Sequence, residues 1–424
     1  MTSIVSRGVL LLVLAACAGD DPGGSRSVAA GTTPILPDTQ TVDGILVMRH
    51  GADAFARAPR WVLDSVPEVV IDGGDAFDLT WVSRPVMLSD GRAVALSIIG
   101  SPRLALFDGG GRFVRVIAEG GQGPGELSRP SDPILLTGDT LVIANGGNSA
   151  VSWYHPDDGV IRTAPADAVN RTSCYRRASR LTTGRLVALY GCMPYQSNDS
   201  FVARPLVSLA GFDFGYAAFD TLAMIPGWEV RQVDSRRGGA RRVEQQQVRL
   251  GLAPSLTTMG ERIVLATADS GYRVHLLDQA GAAVGRVEVV APRRPVTSLM
   301  RQIVIDRELA EIDGPQMESR VDAAEDRRQA REAYFPDSLP PYSNVEAGGD
   351  EAFWVLDYIA PGDSTWSATA FRADGAILGR LQGPITGTEV WQGPVRFERD
   401  RVIVREVDGD GVVRFGAYGM SPSD

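Results

Sequence analysis

Residues 106–127, LFDGGGRFVRVIAEGGQGPGEL, decide how the rest of the chain is read. Two short apolar runs flank the turn Asp108-Gly109-Gly110-Gly111. Apolar and polar side chains alternating about a tight glycine turn signal a β-hairpin, not a helix. The glycine-rich exit after Glu119, which also holds Pro124, cannot continue as helix. The stretch is therefore a hairpin followed by an irregular passage, and its first part recurs.

A hairpin with Gly near its turn appears as RPVMLSDGRAVALS (84–97), DPILLTGDTLVIAN (132–145) and RASRLTTGRLVALY (177–190). Later copies are APSLTTMGERIVLA (253–266), VEAGGDEAFWVLD (345–357) and GPVRFERDRVIVRE (393–406). Second hairpins sit between them at 103–117, 150–163, 201–219, 272–289 and 367–381. The turn glycines Gly91, Gly138 and Gly184 are 47 and 46 residues apart, the length of a four-stranded unit. Such a unit cannot cover both faces alone, so neighbours must stack around an axis. The fold class expected is all-β: a six-bladed β-propeller of four-stranded antiparallel blades, covering residues 44–424. The last copy is one strand short, and the unpaired run WVLDSVPEVVIDG (61–73) is expected to complete it. Residues 295–336 break the pattern with apolar positions three and four apart, which predicts a helical insertion between blades four and five. Thr297 or Ser298 would cap its start, and Asp313-Gly314-Pro315 would interrupt it.

At 424 residues with 44% hydrophobic content the chain can bury a large core. The net charge of -10 argues against coating nucleic acid, and every basic residue is arginine. Residues 1–17 carry Arg7, a short apolar run and small residues, the layout of a secretory signal. Leu14-Ala15-Ala16-Cys17 resembles the bacterial lipobox, which implies cleavage before Cys17 and a lipid on it. Residues 18–43, rich in Gly, Ser, Pro and Asp towards their start, read as a flexible tether. Ala18 after Cys17 implies outer-membrane sorting. Export would allow a disulfide between Cys174 and Cys192, which lie symmetrically about Thr183.

With these residues in hand, the chain resembles the six-bladed propeller lipoproteins of Gram-negative bacteria, related to NHL-repeat and TolB-like propellers. Gly120-Gly121-Gln122-Gly123-Pro124-Gly125-Glu126-Leu127 is similar to that family's exit from the first blade, with Leu127 in place of its usual Phe. The resemblance implies an architecture more than a chemistry.

Reaction signatures are sparse. The glycine run lacks the following helix that a phosphate cradle needs. Arg49-His50-Gly51 resembles the signature of histidine phosphatases, with His155 as a second histidine, but the hairpins around it are foreign to that fold. Three histidines without a paired motif leave zinc short of ligands, and Asp408-Gly409-Asp410 reads as a turn. A propeller hydrolase or lyase would place an axial metal among residues such as Asp132, Asn145, Glu346 and Asp357. No cofactor is expected. Arg231 to Arg249 reads as a solvated loop. The leading reading is a monomeric, envelope-anchored binding or scaffold module. Trp228, Arg231, Tyr272, Tyr358 and Trp366 would meet a protein or glycan partner on the long-loop face.

Overall fold

The structure, a computed structural model, describes residues 33–423 apart from 83, 99, 166–174, 191–201, 213–218, 238, 269–270, 315–321, 350, 386–392 and 399. The chain is mostly β. It opens with Asp38–Val42 (β1), Ile45–His50 (β2), the four-residue helix Ala54–Arg57 (α1), Arg60–Leu63 (β3) and Val69–Ile71 (β4). Antiparallel meanders follow. The first is Val86–Met87 (β5), Ala93–Ser97 (β6), Arg103–Phe107 (β7) and Phe113–Glu119 (β8). The second is Ile134–Leu135 (β9), Leu141–Asn145 (β10), Ala150–His155 (β11) and Gly159–Pro165 (β12).

The third begins with Tyr175–Arg180 (β13) and Leu186–Tyr190 (β14). After Val202–Ala203 (β15) it continues with Leu206–Phe212 (β16) and Phe219–Pro226 (β17). Strand β15 pairs instead with a long hairpin, Val230–Arg237 (β18) and Ala240–Gln247 (β19). The fourth meander is Ser255–Met259 (β20), Arg262–Ala266 (β21), Tyr272–Leu277 (β22) and Ala283–Val289 (β23). Helices Ser298–Asp313 (α2) and Ala323–Arg331 (α3) come next. The fifth is Tyr342–Ala347 (β24), Ala352–Asp357 (β25), Thr365–Arg372 (β26) and Ile377–Pro384 (β27). Gly393–Phe397 (β28), Arg401–Val407 (β29) and Val413–Pro422 (β30) end the chain, and β4 lies antiparallel on β30 as their fourth strand.

Packing follows from burial on both faces. Strands such as β6 and β10 are buried at every position, so they read as continuous apolar runs. Each hydrophobic cluster between sheets joins successive meanders: Leu104 with Tyr154, Val142 with Phe212, Leu189 with Leu256, Val264 with Phe353, and Trp354 with Val402. A further cluster joins Phe415 of the last to Phe107 of the first. The cores thus form a cycle, which is propeller-like packing.

The N-terminal segment runs as a belt around the outside of the last three meanders. Strand β2 pairs in parallel with β23. Strand β3 pairs in parallel with β27 and antiparallel with β30, and β4 pairs with β30 at Phe415 to Ala417. The run 61–73 therefore meets the C-terminal strand as its sequence led one to expect. The tether does not extend to residue 43. Ile35 exchanges hydrogen bonds with Ile377, and Asp38–Val42 is strand β1 on β2. All five β1 residues are exposed, so no apolar signal marked the strand.

Two other expectations change or hold locally. Thr297 Oγ1 accepts the Met300 N–H at 3.2 Å and starts α2, which ends at Asp313. The span 231–249 is not a loop but the hairpin β18–β19. Its strands carry no apolar alternation, because α3 and α2 cover it through polar bonds. Arg328 donates to Asp234 O, Gln246 bonds Gln329, and Arg249 pairs with Glu308 at 2.7 Å.

Candidate functional site

The glycine exit shows why glycine is required there. Leu127 is buried in the core, and its N–H donates to Glu119 O. The Glu126 carboxylate turns back into the loop and accepts the Gly123 N–H at 2.6 Å. A Cβ at Gly121 would overlap that carboxylate. The amide that an incoming anion would seek is already bound to one.

At the axis, the first strands of the meanders bring polar side chains together. Arg84, just before β5, donates from Nε to Val395 O at 3.1 Å and from its terminal nitrogen to Glu346. Asn344 donates to the other Glu346 oxygen and accepts from Ser255 Oγ at 2.6 Å. Thr258 Oγ1 donates to Arg180 O at 2.7 Å and lies 2.8 Å from Ser179 Oγ. Burial pulls the Arg396 guanidinium below its ordinary range, against the pull of Glu398. Burial likewise pushes Glu398 up, while Arg396 and Arg401 hold it down.

The carboxylates suggested for an axial metal are not assembled for one. Glu346 is committed to Arg84 and Asn344. Asp357 is committed to Arg380, and burial raises its pKa despite that partner. Asn145 donates to Ser152 Oγ at 3.1 Å inside the second meander, and Asp132 lies within electrostatic reach of Arg396. Among the described residues, no three His, Cys, Asp or Glu side chains gather as metal ligands would. Asp408 uses its carboxylate to accept the Asp410 and Val412 N–H groups of its own turn.

The histidine pair is also separated. His50 is buried on β2 with Nε2 donating to Gly375 O at 2.8 Å, and Arg49 pairs with Glu288 at 2.9 Å. His155 ends β11 in the second meander, beside Asp158 at 3.4 Å. The two histidines stand on separate sheets and do not form the paired site of a histidine phosphatase.

The anticipated partner residues divide. Trp366 and Tyr272 are core, not surface. Trp366 is 1% exposed between the last two meanders, over Gly383. Tyr272 is 4% exposed against Phe55, Tyr342 and Phe371. Their places near strand starts suggested loop positions, but the adjoining meanders close over both. Tyr358 packs under α2, where burial pushes its hydroxyl up to about 12. Trp228 packs against the cluster shared by the third and fourth meanders, and Arg231 donates to Glu332 O at 2.9 Å. Cys17, Cys174 and Cys192 lie outside the described residues.

A different place offers space. A groove of about 840 Å³ follows β3 where the last two meanders diverge. Phe55, Trp61, Arg380, Gln382, Glu406 and Tyr418 are among its walls. Arg380 lies over the Phe55 ring at 4.6 Å, and the Tyr418 hydroxyl donates to Glu406. Burial and that carboxylate both push the Tyr418 hydroxyl far above its ordinary value, so it stays protonated as a donor. Sequence reasoning missed this site because β3 forms one wall, and nothing in WVLD says which two sheets it will bridge.

No family model matches the chain, and no curated protein does. Solved structures resemble it over most of its length. A candidate exported protein from Bacteroides fragilis is 10% identical, with a TM-score of 0.48 over 89% of this chain and 100% of that one. A DUF4221-family member from Bacteroides vulgatus is 11% identical, with a TM-score of 0.43 over 87% and 100%. A gluconolactonase from Xanthomonas campestris is 11% identical, with a TM-score of 0.41 over 93% and 99%. Likeness at this level assigns neither family nor activity. Among the described residues, no helix is long and apolar enough to cross a membrane.

Proposed function

We propose that the chain is an exported, lipid-anchored six-bladed β-propeller that binds a short polar ligand, a glycan foremost, rather than catalysing a reaction. The groove along β3 carries this reading. It combines aromatic edges with a guanidinium, an amide and a carboxylate, the mixture that packs on sugar C–H faces while bonding their hydroxyls. The six meanders are taken as blades and the helices α2 and α3 as an insertion between the fourth and fifth. A glycan array probed with purified protein tests the reading. Wild type should bind a defined set, and Gln382→Ala with Glu406→Gln should lose it. An array with no binding, or binding equal in the variant, would overturn the assignment.

The lactonase-like alternative predicts one tightly held Ca²⁺ or Zn²⁺ per purified chain, which metal analysis would detect. The anchor has its own test. An alkyne palmitate analogue should label wild-type cells and spare Cys17→Ala, and equal labelling would remove the anchor from the proposal.

A further inference from the structure

The carboxylate of Glu406 stands in the groove along β3 without a counter-charge. Side chains alternate along β29, so Val402, Val404 and Glu406 share one face. The first two belong to the core that holds Trp61, Trp366 and Tyr418. A Cβ at Gly416 would overlap the Tyr418 ring. The space left there lets that ring lie along the strand and donate its hydroxyl to Glu406 Oε1. A hydroxyl satisfies one oxygen but leaves the charge. The other oxygen has no partner among the described residues and is not sealed inside the protein.

The guanidiniums around it are engaged or face elsewhere. Arg414, directly across the ladder from Glu406, pairs with Asp72 and with Asp408, each at 3.0 Å. Arg380, in the groove wall, pairs with Asp357 and lies over Phe55. Arg60 is exposed and alternates with buried Trp61, so it lies on the opposite face of β3. A half-buried carboxylate held among apolar side chains without a cation is destabilising, and a ligand that brings one removes that penalty.

We propose that the ligand of this groove is a glycan bearing a free amine, with its ammonium on the open oxygen of Glu406 beside the Tyr418 ring. This rests on the glycan reading above and narrows it. An ammonium–carboxylate bond is about twice as strong as a neutral one, and an aromatic face adds attraction for a cation. An N-acetyl group offers Glu406 only a neutral amide, and a uronate would meet a like charge. The net charge of -10 adds to the same preference at longer range.

The test is titration calorimetry of the full chain carrying Cys17→Ser, so that no acyl lipid contributes. A glucosamine pentamer is compared with its fully N-acetylated counterpart at pH 6, where the sugar amine is charged. The free-amine pentamer should bind about tenfold tighter, and added salt should narrow that gap. Glu406→Gln keeps an oxygen for the Tyr418 hydroxyl and should bring the two pentamers to equal affinity. Matched thermal melts would exclude unfolding as the cause. Equal affinities in wild type, or a preference that survives Glu406→Gln, would overturn the amine while leaving glycan binding in place. Binding of neither pentamer would overturn it too, and the glycan array then separates this failure from that of the broader reading. Spermidine bound as tightly as the amine pentamer would mark a general cation site and would also overturn the proposal.

Discussion

Trp61 meets Trp354 edge-to-face at 5.7 Å and lies over Gly379 of β27. A Cβ at Gly379 would overlap the indole nitrogen, so glycine there is a matter of space, not of backbone freedom. Gly379→Ala should destabilise the protein by about 2 kcal/mol through overpacking, read as a lowered urea midpoint. Combining it with Trp61→Ala should cost less than the two changes summed, because the clash is gone. Strict additivity would show that the two residues do not share this contact. His50 gives a pH dependence. Burial pulls its pKa below the ordinary 6.5, against the Gly375 bond and Asp38, with Arg57 lowering it further. The unfolded chain therefore takes up the proton first as pH falls. The His50 contribution is complete above 6.5 and is lost from 6.5 down through the lower folded value. His50→Gln should flatten the change in urea midpoint between pH 7.5 and 5.5. An identical slope in wild type and variant would assign the loss to other groups.

At the scale of elements, strands and helices differ in how they declare themselves. The hairpin β13–β14 is centred on Thr183, with Arg180 opposite Leu186 and Arg177 opposite Leu189, before a bulge near Tyr175. Beyond the bulge Tyr175 faces Tyr190, so the register leaves that centre before Cys174, and the proposed Cys174–Cys192 disulfide stays a matter for experiment. Non-reducing peptide mapping of protein from the periplasm should recover the linked pair, and two alkylatable thiols would refute it. Helix α2 was legible from its spacing and cap, although none of its residues is fully buried. Hairpin β18–β19 was not, since its partners are polar side chains of helices about 60 to 90 residues away in sequence.

At the scale of the whole molecule, the belt β1–β4 converts an open row of sheets into a joined one. It covers β23, β27 and β30 in turn, and each would otherwise present a bare edge. Among the described residues, deleting 18–43 removes the fully exposed β1, the Ile35 bridge and the packing of Ile35 on one core, so melting should fall by a few degrees at most. Deleting 18–73 also removes Met48, Trp61 and Ile71 from three separate cores. That protein should melt far lower and aggregate. Equal melting and solubility of the two truncations would mean that the belt is dispensable.

The paired apolar runs about Gly91, Gly138 and Gly184 were enough to show hairpins and their spacing, because backbone pairing and side-chain alternation are local. The pairing of 61–73 with the last strand was inferred another way, from an unmatched apolar run and a missing edge, although the two lie more than 300 residues apart. Which side chains face solvent was decided elsewhere. Trp366 and Tyr272 look like any aromatic beside a loop, yet neighbouring sheets bury them. Glu346 and Asp357 look like ligands, yet Arg84 and Arg380 reach them first. The groove beside Tyr418 exists only because β3 wedges between β27 and β30, which lie more than 300 residues further along the chain. Long-range contacts of that kind leave no period in the sequence, so only the tertiary structure could place them.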